Sequence, residues 1–152
     1  MRHRRAVFYV NKEFFVLVDE GIGSAAGSAN LSFNLCRYES EVEYDANEMG
    51  AHTTFTDNNI VVRTFTNETA TFNEMEGRVA YVVKNDVFDK RKAYQIKINK
   101  LANKTARFIT VIYPCKKTEG QTIEAVFTDN GYSANGASIK VTINGIEYPL
   151  SY

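Results

Sequence analysis

Residues 105–113, which read TARFITVIY, carry the strongest fold signal in this chain of 152 residues. Beyond the first three residues of this stretch, both faces of an extended strand would be apolar. Strands that face water on one side alternate apolar and polar residues, whereas strands covered on both sides read as nearly continuous apolar runs. The segment is therefore predicted to be a central strand that ends at Pro114, since proline cannot donate to a sheet ladder.

Shorter β-type segments precede and follow this strand. Val and Ile occur 14 and 10 times against 5 Leu, and β-branched side chains fit a pleated sheet better than a helix. No segment shows helical periodicity over more than two turns. The predicted strands recur about every 8–12 residues, as in sandwiches and barrels. The further strands are predicted at residues 5–10, 13–18, 30–36, 39–44, 52–56, 59–66, 78–84, 93–99, 122–128, 137–143 and 146–148.

Two turn signals indicate that neighbouring strands run antiparallel. Asn144-Gly145 separates two β-type runs, and a type I′ hairpin turn needs positive φ at both of its central residues. Asn11-Lys12 is a weaker signal of the same kind. Together these observations predict an all-β, antiparallel, two-sheet β-sandwich of about 10–12 strands, formed as a single domain by residues 1–152.

The composition excludes several classes of function. The 18 basic residues balance the 18 acidic ones, which argues against a nucleic-acid-binding module. Two His and two Cys are too few for the usual zinc sites, and no nucleophile-elbow motif is present. No apolar run approaches the roughly 20 residues of a membrane-spanning helix. We predict no cofactor, no metal site and no catalytic residue in this chain.

The beginning of the chain carries a family resemblance. Residues 3–10 (HRRAVFYV) and 13–20 (EFFVLVDE) give the order His-Arg-Arg, apolar strand, turn, apolar strand, Asp. This order resembles a hairpin in the β-sandwich part of the heparinase II/III-like polysaccharide lyases. Residues 92–99 and 106–114 resemble the closing strands of that part, so the resemblance covers most of residues 3–114.

The resemblance implies an (α/α) toroid ahead of the sandwich in a longer parent protein. The family's reaction is β-elimination at a uronic acid, in which a base removes the C5 proton, an amide neutralises the carboxylate and a Tyr or His assists the leaving oxygen. Those residues lie in the toroid and in earlier sandwich strands, and none matches a residue here. We therefore expect an inactive C-terminal fragment of a periplasmic or secreted lyase, whose partners are an acidic or sulfated polysaccharide and the parent's toroid.

The trio His3-Arg4-Arg5 at the start of the first strand provides the first candidates for contact with such a polysaccharide. Guanidinium groups match the geometry of sulfate and carboxylate, so Arg4 and Arg5 are candidate substrate-binding residues. The competing interpretation is that Arg5 simply faces solvent at the start of a strand while Ala6 faces inward.

A second set of candidates comes from the distribution of charge. Residues 39–76 hold nine acidic and one basic residue, a net charge of −8, and residues 84–117 hold ten basic and two acidic residues, a net charge of +8. Lys90, Arg91 and Lys92 could form a positive patch for a sulfated glycan. The competing interpretation is that acidic strands lie beside basic strands and form cross-strand pairs.

The sequence leaves two other functions open. The chain could instead be a stand-alone carbohydrate-binding or cell-surface adhesion sandwich, or a purely structural spacer. Residues 1–5 lack the apolar run of a signal peptide and lead directly into a strand, which favours a piece of a longer protein.

His52 has no partner at a recognised metal-ligand spacing, so it is expected to be solvated or hydrogen-bonded.

Overall fold

The computed structural model describes residues 1–35, 41–78 and 90–152, and most of these residues lie in β-strands. The strands of this described part are, in chain order, β1 (Arg2–Val10), β2 (Phe14–Ile22), β3 (Gly27–Asn34), β4 (Val42–Asp45), β5 (Gly50–Thr53), β6 (Asn59–Thr66), β7 (Ala70–Arg78), β8 (Lys90–Lys100), β9 (Ala106–Cys115), β10 (Ile123–Phe127), β11 (Ser138–Ile143) and β12 (Ile146–Ser151). A 3-10 turn, Ala46–Glu48, lies between β4 and β5. The described part contains no helix with the length and hydropathy needed to cross a membrane.

The strands form three antiparallel sheets. The largest has six strands in the order β1-β2-β9-β6-β5-β4. The other two have three strands each, in the orders β10-β11-β12 and β3-β8-β7. All pairings between these strands are antiparallel.

The six-stranded sheet is the middle layer, and β9 shows why. Ile109 and Val111 belong to the core that the middle sheet forms with β10-β11-β12. Ala106 and Phe108 belong to the core formed with β3-β8-β7. Because successive residues of a strand point to opposite faces, the two small sheets must cover opposite faces of the middle sheet. Every residue of β9 from Ala106 to Val111 is buried as a result.

The predicted all-β antiparallel sandwich is confirmed, and the structure adds a third sheet to the two that we expected. The physical reason is the apolar run at residues 105–113, because a strand that is apolar on both faces must be covered on both faces. That residues 1–152 form a single domain stays a prediction.

Three details of the predicted strands differ from the structure. The strand β9 continues through Pro114, which lies opposite Ile60 of β6 beyond the point where β2 stops pairing, so a missing N–H is tolerated there. The strand β7 was not predicted, because Phe72 is followed by polar and acidic residues that hide its alternation. Most of the strand predicted at residues 78–84 lies outside the described residues.

The predicted hairpin at Asn144-Gly145 is confirmed, and the one at Asn11-Lys12 is present with a three-residue loop, because Val10 pairs with Phe14. Asn144 and Gly145 have φ of 51° and 83° and join β11 to β12. Asn11 and Lys12 have φ of 50° and 62°, and Glu13 N–H donates to the Val10 carbonyl at 2.9 Å. Positive φ at both central positions is the requirement of the type I′ turn.

We predict that Gly50→Ala destabilises the chain by about 1–3 kcal/mol, the usual cost of overpacking. A Cβ at Gly50 would lie 2.0 Å from the carbonyl oxygen of Val62 in β6, so backbone must move. The matched control is Gly27→Ala in β3, where a Cβ meets no described atom within 4 Å. Urea unfolding should show the control unchanged or slightly more stable. Equal effects of the two substitutions would contradict the close approach of β5 to β6.

Candidate functional site

A surface pocket of about 320 Å³ opens between the β1-β2 edge of the middle sheet and β3. Its polar lining comes from strands of both sheets: His3 and Arg5 of β1, Asp19 of β2, and Asn30 and Ser32 of β3. We call it the Arg5 pocket. The alternation of β1 places its odd-numbered residues on this face, so the sequence brings His3 and Arg5 together but sends Arg4 away.

A buried carboxylate orients the Arg5 and His3 side chains of the Arg5 pocket. Asp19 is 3% exposed. Its Oδ1 accepts from Arg5 Nε at 2.7 Å and lies 2.6 Å from His3 Nε2, and its Oδ2 accepts from Arg5 Nη2 at 3.1 Å. The Arg5 and His3 side chains remain 44% and 59% exposed. The arrangement can therefore present oriented N–H groups to an anion in solvent.

Arg4 points to the opposite face of the middle sheet. Its Nε donates to Glu20 Oε2 at 2.6 Å, and its Nη2 donates to the Ser133 carbonyl at 2.8 Å. The guanidinium also lies 5.0 Å from the ring centroid of Tyr132 and 5.3 Å from that of Tyr152. The two predicted candidates thus do not share a site, and Arg4 ties β1 to the segments around β12.

Glu20 is the centre of a buried ionic group that sequence reasoning missed. Its side chain is fully buried, and its two oxygens accept from Arg4 Nε, from Arg107 Nε at 2.9 Å and from the Tyr152 hydroxyl at 3.0 Å. Burial, with the hydrogen bond to Glu20, raises the pKa of Tyr152 to about 12. We call Arg4, Glu20, Arg107, Asp129 and Tyr152 the Glu20 cluster. One signal could have revealed it: Arg107 is a charge within the most buried strand.

Asp129 completes the Glu20 cluster from the loop after β10. It accepts two hydrogen bonds from Arg107, at 2.6 and 2.8 Å, and one from the Ser138 N–H at 2.8 Å. The Arg107 hydrogen bond chiefly lowers the pKa of Asp129 to about 2. The carboxylate therefore stays charged over the whole ordinary pH range.

The predicted patch at Lys90, Arg91 and Lys92 lies at the start of β8, away from the Arg5 pocket. Lys92 Nζ donates to the Val42 carbonyl at 2.8 Å and lies 5.2 Å from the ring centroid of Tyr44. The side chains of Lys90 and Arg91 lie outside the described part of the structure.

The register of the small sheet explains the two charge blocks in part. The acidic strand β7 pairs with the basic strand β8, and Glu76 stands directly opposite Lys92. This arrangement is the one that the cross-strand interpretation expected. That Arg4, Arg5, Lys90, Arg91 and Lys92 bind substrate stays a prediction.

His52 is hydrogen-bonded, as expected. Its Nδ1 lies 2.7 Å from Asp45 Oδ2, which also accepts from Arg63 at 2.6 Å. Within residues 1–35, 41–78 and 90–152, no group of three or more His, Cys, Asp or Glu is arranged to hold a metal ion.

A family match covers most of the chain. The family described as heparinase II/III-like, C-terminal, matches residues 1–124. The chain belongs to the heparinase II/III-like family. The resemblance seen in residues 3–20 is thereby confirmed, and the match continues to residue 124, at the start of β10.

Relatives within the heparinase II/III-like family are similar over essentially the whole chain. A heparin-sulfate lyase of Bacteroides thetaiotaomicron is 53% identical over 155 aligned residues, which cover 100% of this chain and 22% of the relative. A crystal structure of heparinase III matches with a TM-score of 0.94 at 53% identity, over 99% of this chain and 23% of that one. Heparan sulfate lyase HepC from Pedobacter heparinus matches with a TM-score of 0.84 at 25% identity, again over 99% and 23%. The chain thus spans less than a quarter of the length of these relatives.

We predict that Glu20→Gln lowers the free energy of unfolding by about 3–5 kcal/mol, because it leaves Arg4 and Arg107 partly unpaired in the interior. The matched control is Glu147→Gln, which breaks the exposed 2.7 Å ion pair with Lys140 and should cost about 0–1 kcal/mol. Urea unfolding of both variants checks the difference. A Glu20→Gln variant as stable as the control would show that the buried charge contributes little.

Asp129 gives a prediction for acid conditions. Its folded pKa of about 2 lies below the ordinary 3.8, so its contribution to stability is present above pH 3.8 and is lost as the pH falls towards 2. The stability difference between the native chain and Asp129→Asn should therefore shrink across this window. Urea unfolding at pH 6, 4 and 3 measures it. A difference that stayed constant down to pH 3 and below would argue against the Arg107–Asp129 interaction as its source.

Proposed function

We propose that this chain is the C-terminal, non-catalytic β-sandwich part of a polysaccharide lyase that cleaves a heparin- or heparan-sulfate-like polymer by β-elimination. The observation that carries the proposal is 53% identity along the entire chain to a heparin-sulfate lyase. The parent protein would act in the periplasm or outside the cell, where its polysaccharide substrate is found.

The part played by this chain in the parent would be binding rather than chemistry. The Arg5 pocket offers a guanidinium, an imidazole, an amide and a hydroxyl from Arg5, His3, Asn30 and Ser32. These groups suit the sulfate and carboxylate groups of an acidic sugar, since a guanidinium can donate two parallel hydrogen bonds to either. The bond-breaking groups would come from the toroid and from earlier sandwich strands of the parent, and we propose the toroid as the intramolecular partner of this sandwich.

We expect Arg5→Ala in the full-length parent to raise KM for heparan sulfate with little change in kcat. The loss of one charge-assisted hydrogen bond, about 1.5–3 kcal/mol, corresponds to a rise of roughly tenfold or more. The matched control is Lys140→Ala on β11, whose side chain is 40% exposed and paired with Glu147. Ultraviolet absorbance of the unsaturated uronate product gives both constants.

Two controls accompany this kinetic experiment. Thermal unfolding of Arg5→Ala establishes that the variant is folded, because Asp19 loses a partner. The isolated chain, assayed on the same substrate, should yield no unsaturated product. An unchanged KM for Arg5→Ala would remove the Arg5 pocket from the substrate path, and product formation by the isolated chain would refute the non-catalytic assignment.

A further inference from the structure

One face of the middle sheet is apolar yet exposed over the β1-β2 half. Val7 and Tyr9 of β1 are 60% and 58% exposed, and Phe15 of β2 and Ile60 of β6 are each 41% exposed. We call Val7, Tyr9, Phe15 and Ile60 the open face. Large apolar side chains scattered singly over a surface are normal, but a contiguous group marks an interaction site.

The strand register makes the open face contiguous. Tyr9 pairs with Phe15, and their rings stack with centroids 4.6 Å apart. Phe15 pairs with Ile112 of β9, and Ile112 pairs with Val62 of β6. Register partners project to the same face of a sheet, so these side chains form one apolar row across four adjacent strands.

The opposite face of the same strands is fully covered. Phe14, Val16 and Val18 of β2 are each 0% exposed beneath β10-β11-β12. On the open-face side, the sheet β3-β8-β7 covers Ala106 and Phe108 but leaves Phe15 exposed. The strand β2 is therefore apolar on both faces along its first half, whereas the described part of the chain covers only one of them.

A pocket extends the open face towards β3. It has a volume of about 390 Å³, and Ile60 of the open face belongs to its wall together with Val62, Ile112, Phe33 and Leu35. A flat apolar surface beside an apolar hollow can receive a packed element with a protruding side chain, which is how the cores of interfaces are built.

We propose that the open face is the docking surface for the part of the parent chain that precedes residue 1. The inference rests on the proposed function, because that part exists only if this chain is the C-terminal portion of a longer lyase. The chain covers 22% of a relative, and the family model that it matches is described as C-terminal, so most of a full-length parent would precede it. Met1 lines the Arg5 pocket on the same face of β1, so the preceding segment would join the chain on the side of the open face.

The composition of the open face selects the kind of surface that docks on it. Val7, Tyr9, Phe15 and Ile60 carry no charge, and the only polar group among them, the Tyr9 hydroxyl, already donates to the Lys12 carbonyl at 2.8 Å. The docking element is therefore an apolar surface of the parent. The open face offers no charged partner to the sulfate and carboxylate groups of a polysaccharide.

Thiol labelling in the full-length parent tests the proposal. Val7→Cys reports on the open face, and Val126→Cys on β10, 52% exposed in the isolated chain, is the matched control. Both are made with Cys36→Ser and Cys115→Ser, and each labelling rate is divided by the rate in urea. We expect position 7 to react at least roughly tenfold more slowly than position 126. Ile60→Cys with Ile146→Cys as its control repeats the comparison if Val7→Cys fails to fold.

Each outcome of the labelling experiment decides the proposal. Equal normalised rates at position 7 and position 126 would overturn it. Protection of position 7 that disappears on dilution to a monomer, followed by sedimentation, would also overturn it, because the occupant would then be a second copy. Lyase activity of the unsubstituted parent separates the two hypotheses: no activity on heparan sulfate would refute the proposed function, whereas equal labelling rates at positions 7 and 126 of an active parent would refute the docking surface alone.

Discussion

The buried carboxylate of Glu20 is the constraint on which much of this sandwich depends. A buried charge is tolerated only when other groups pair with it. Glu20 accepts hydrogen bonds from residues of the neighbouring strands β1 and β9 and from Tyr152, which follows β12. Arg4 pairs with Glu20, and Glu20 with Arg107, in one cross-strand row. A shift of one residue in either pairing would point a charge to the wrong face, so the ionic row fixes the register of three strands.

Asp19 and Glu20 form their contacts on opposite faces of the middle sheet. Because they are consecutive in β2, their side chains project to opposite sides. Glu20 secures the face that β10-β11-β12 covers, whereas Asp19 orients Arg5 at the opposite, partly open face. The sequence His3-Arg4-Arg5 divides in the same way, since only its middle residue turns towards Glu20. One short hairpin therefore supplies both a structural ionic group and an exposed cationic pocket.

The sequence predicts the local features of this fold better than its layers. The apolar run at residues 105–113 and the Asn144-Gly145 turn are decided by nearby residues, and both are found as expected. The apolar run indicates that β9 needs a cover on both faces, but which strands form the third sheet depends on contacts in space that no local pattern contains. The same limit applies to Arg4: alternation indicates that Arg4 and Arg5 face opposite ways, but only the position of Glu20 shows which arginine is drawn inward.

The Arg5 pocket and the open face lie on the same side of the middle sheet, and this position would link the proposed binding to the proposed docking. His3 and Arg5 continue along β1 into Val7 and Tyr9, with alternate residues on one face changing from cationic to apolar. An apolar element seated on Val7 and Tyr9 would end beside Arg5 and turn an open pocket into one wall of a cleft. In such a cleft the guanidinium of Arg5 would be less exposed to water, and its attraction for an anionic sugar would be stronger than in the isolated chain.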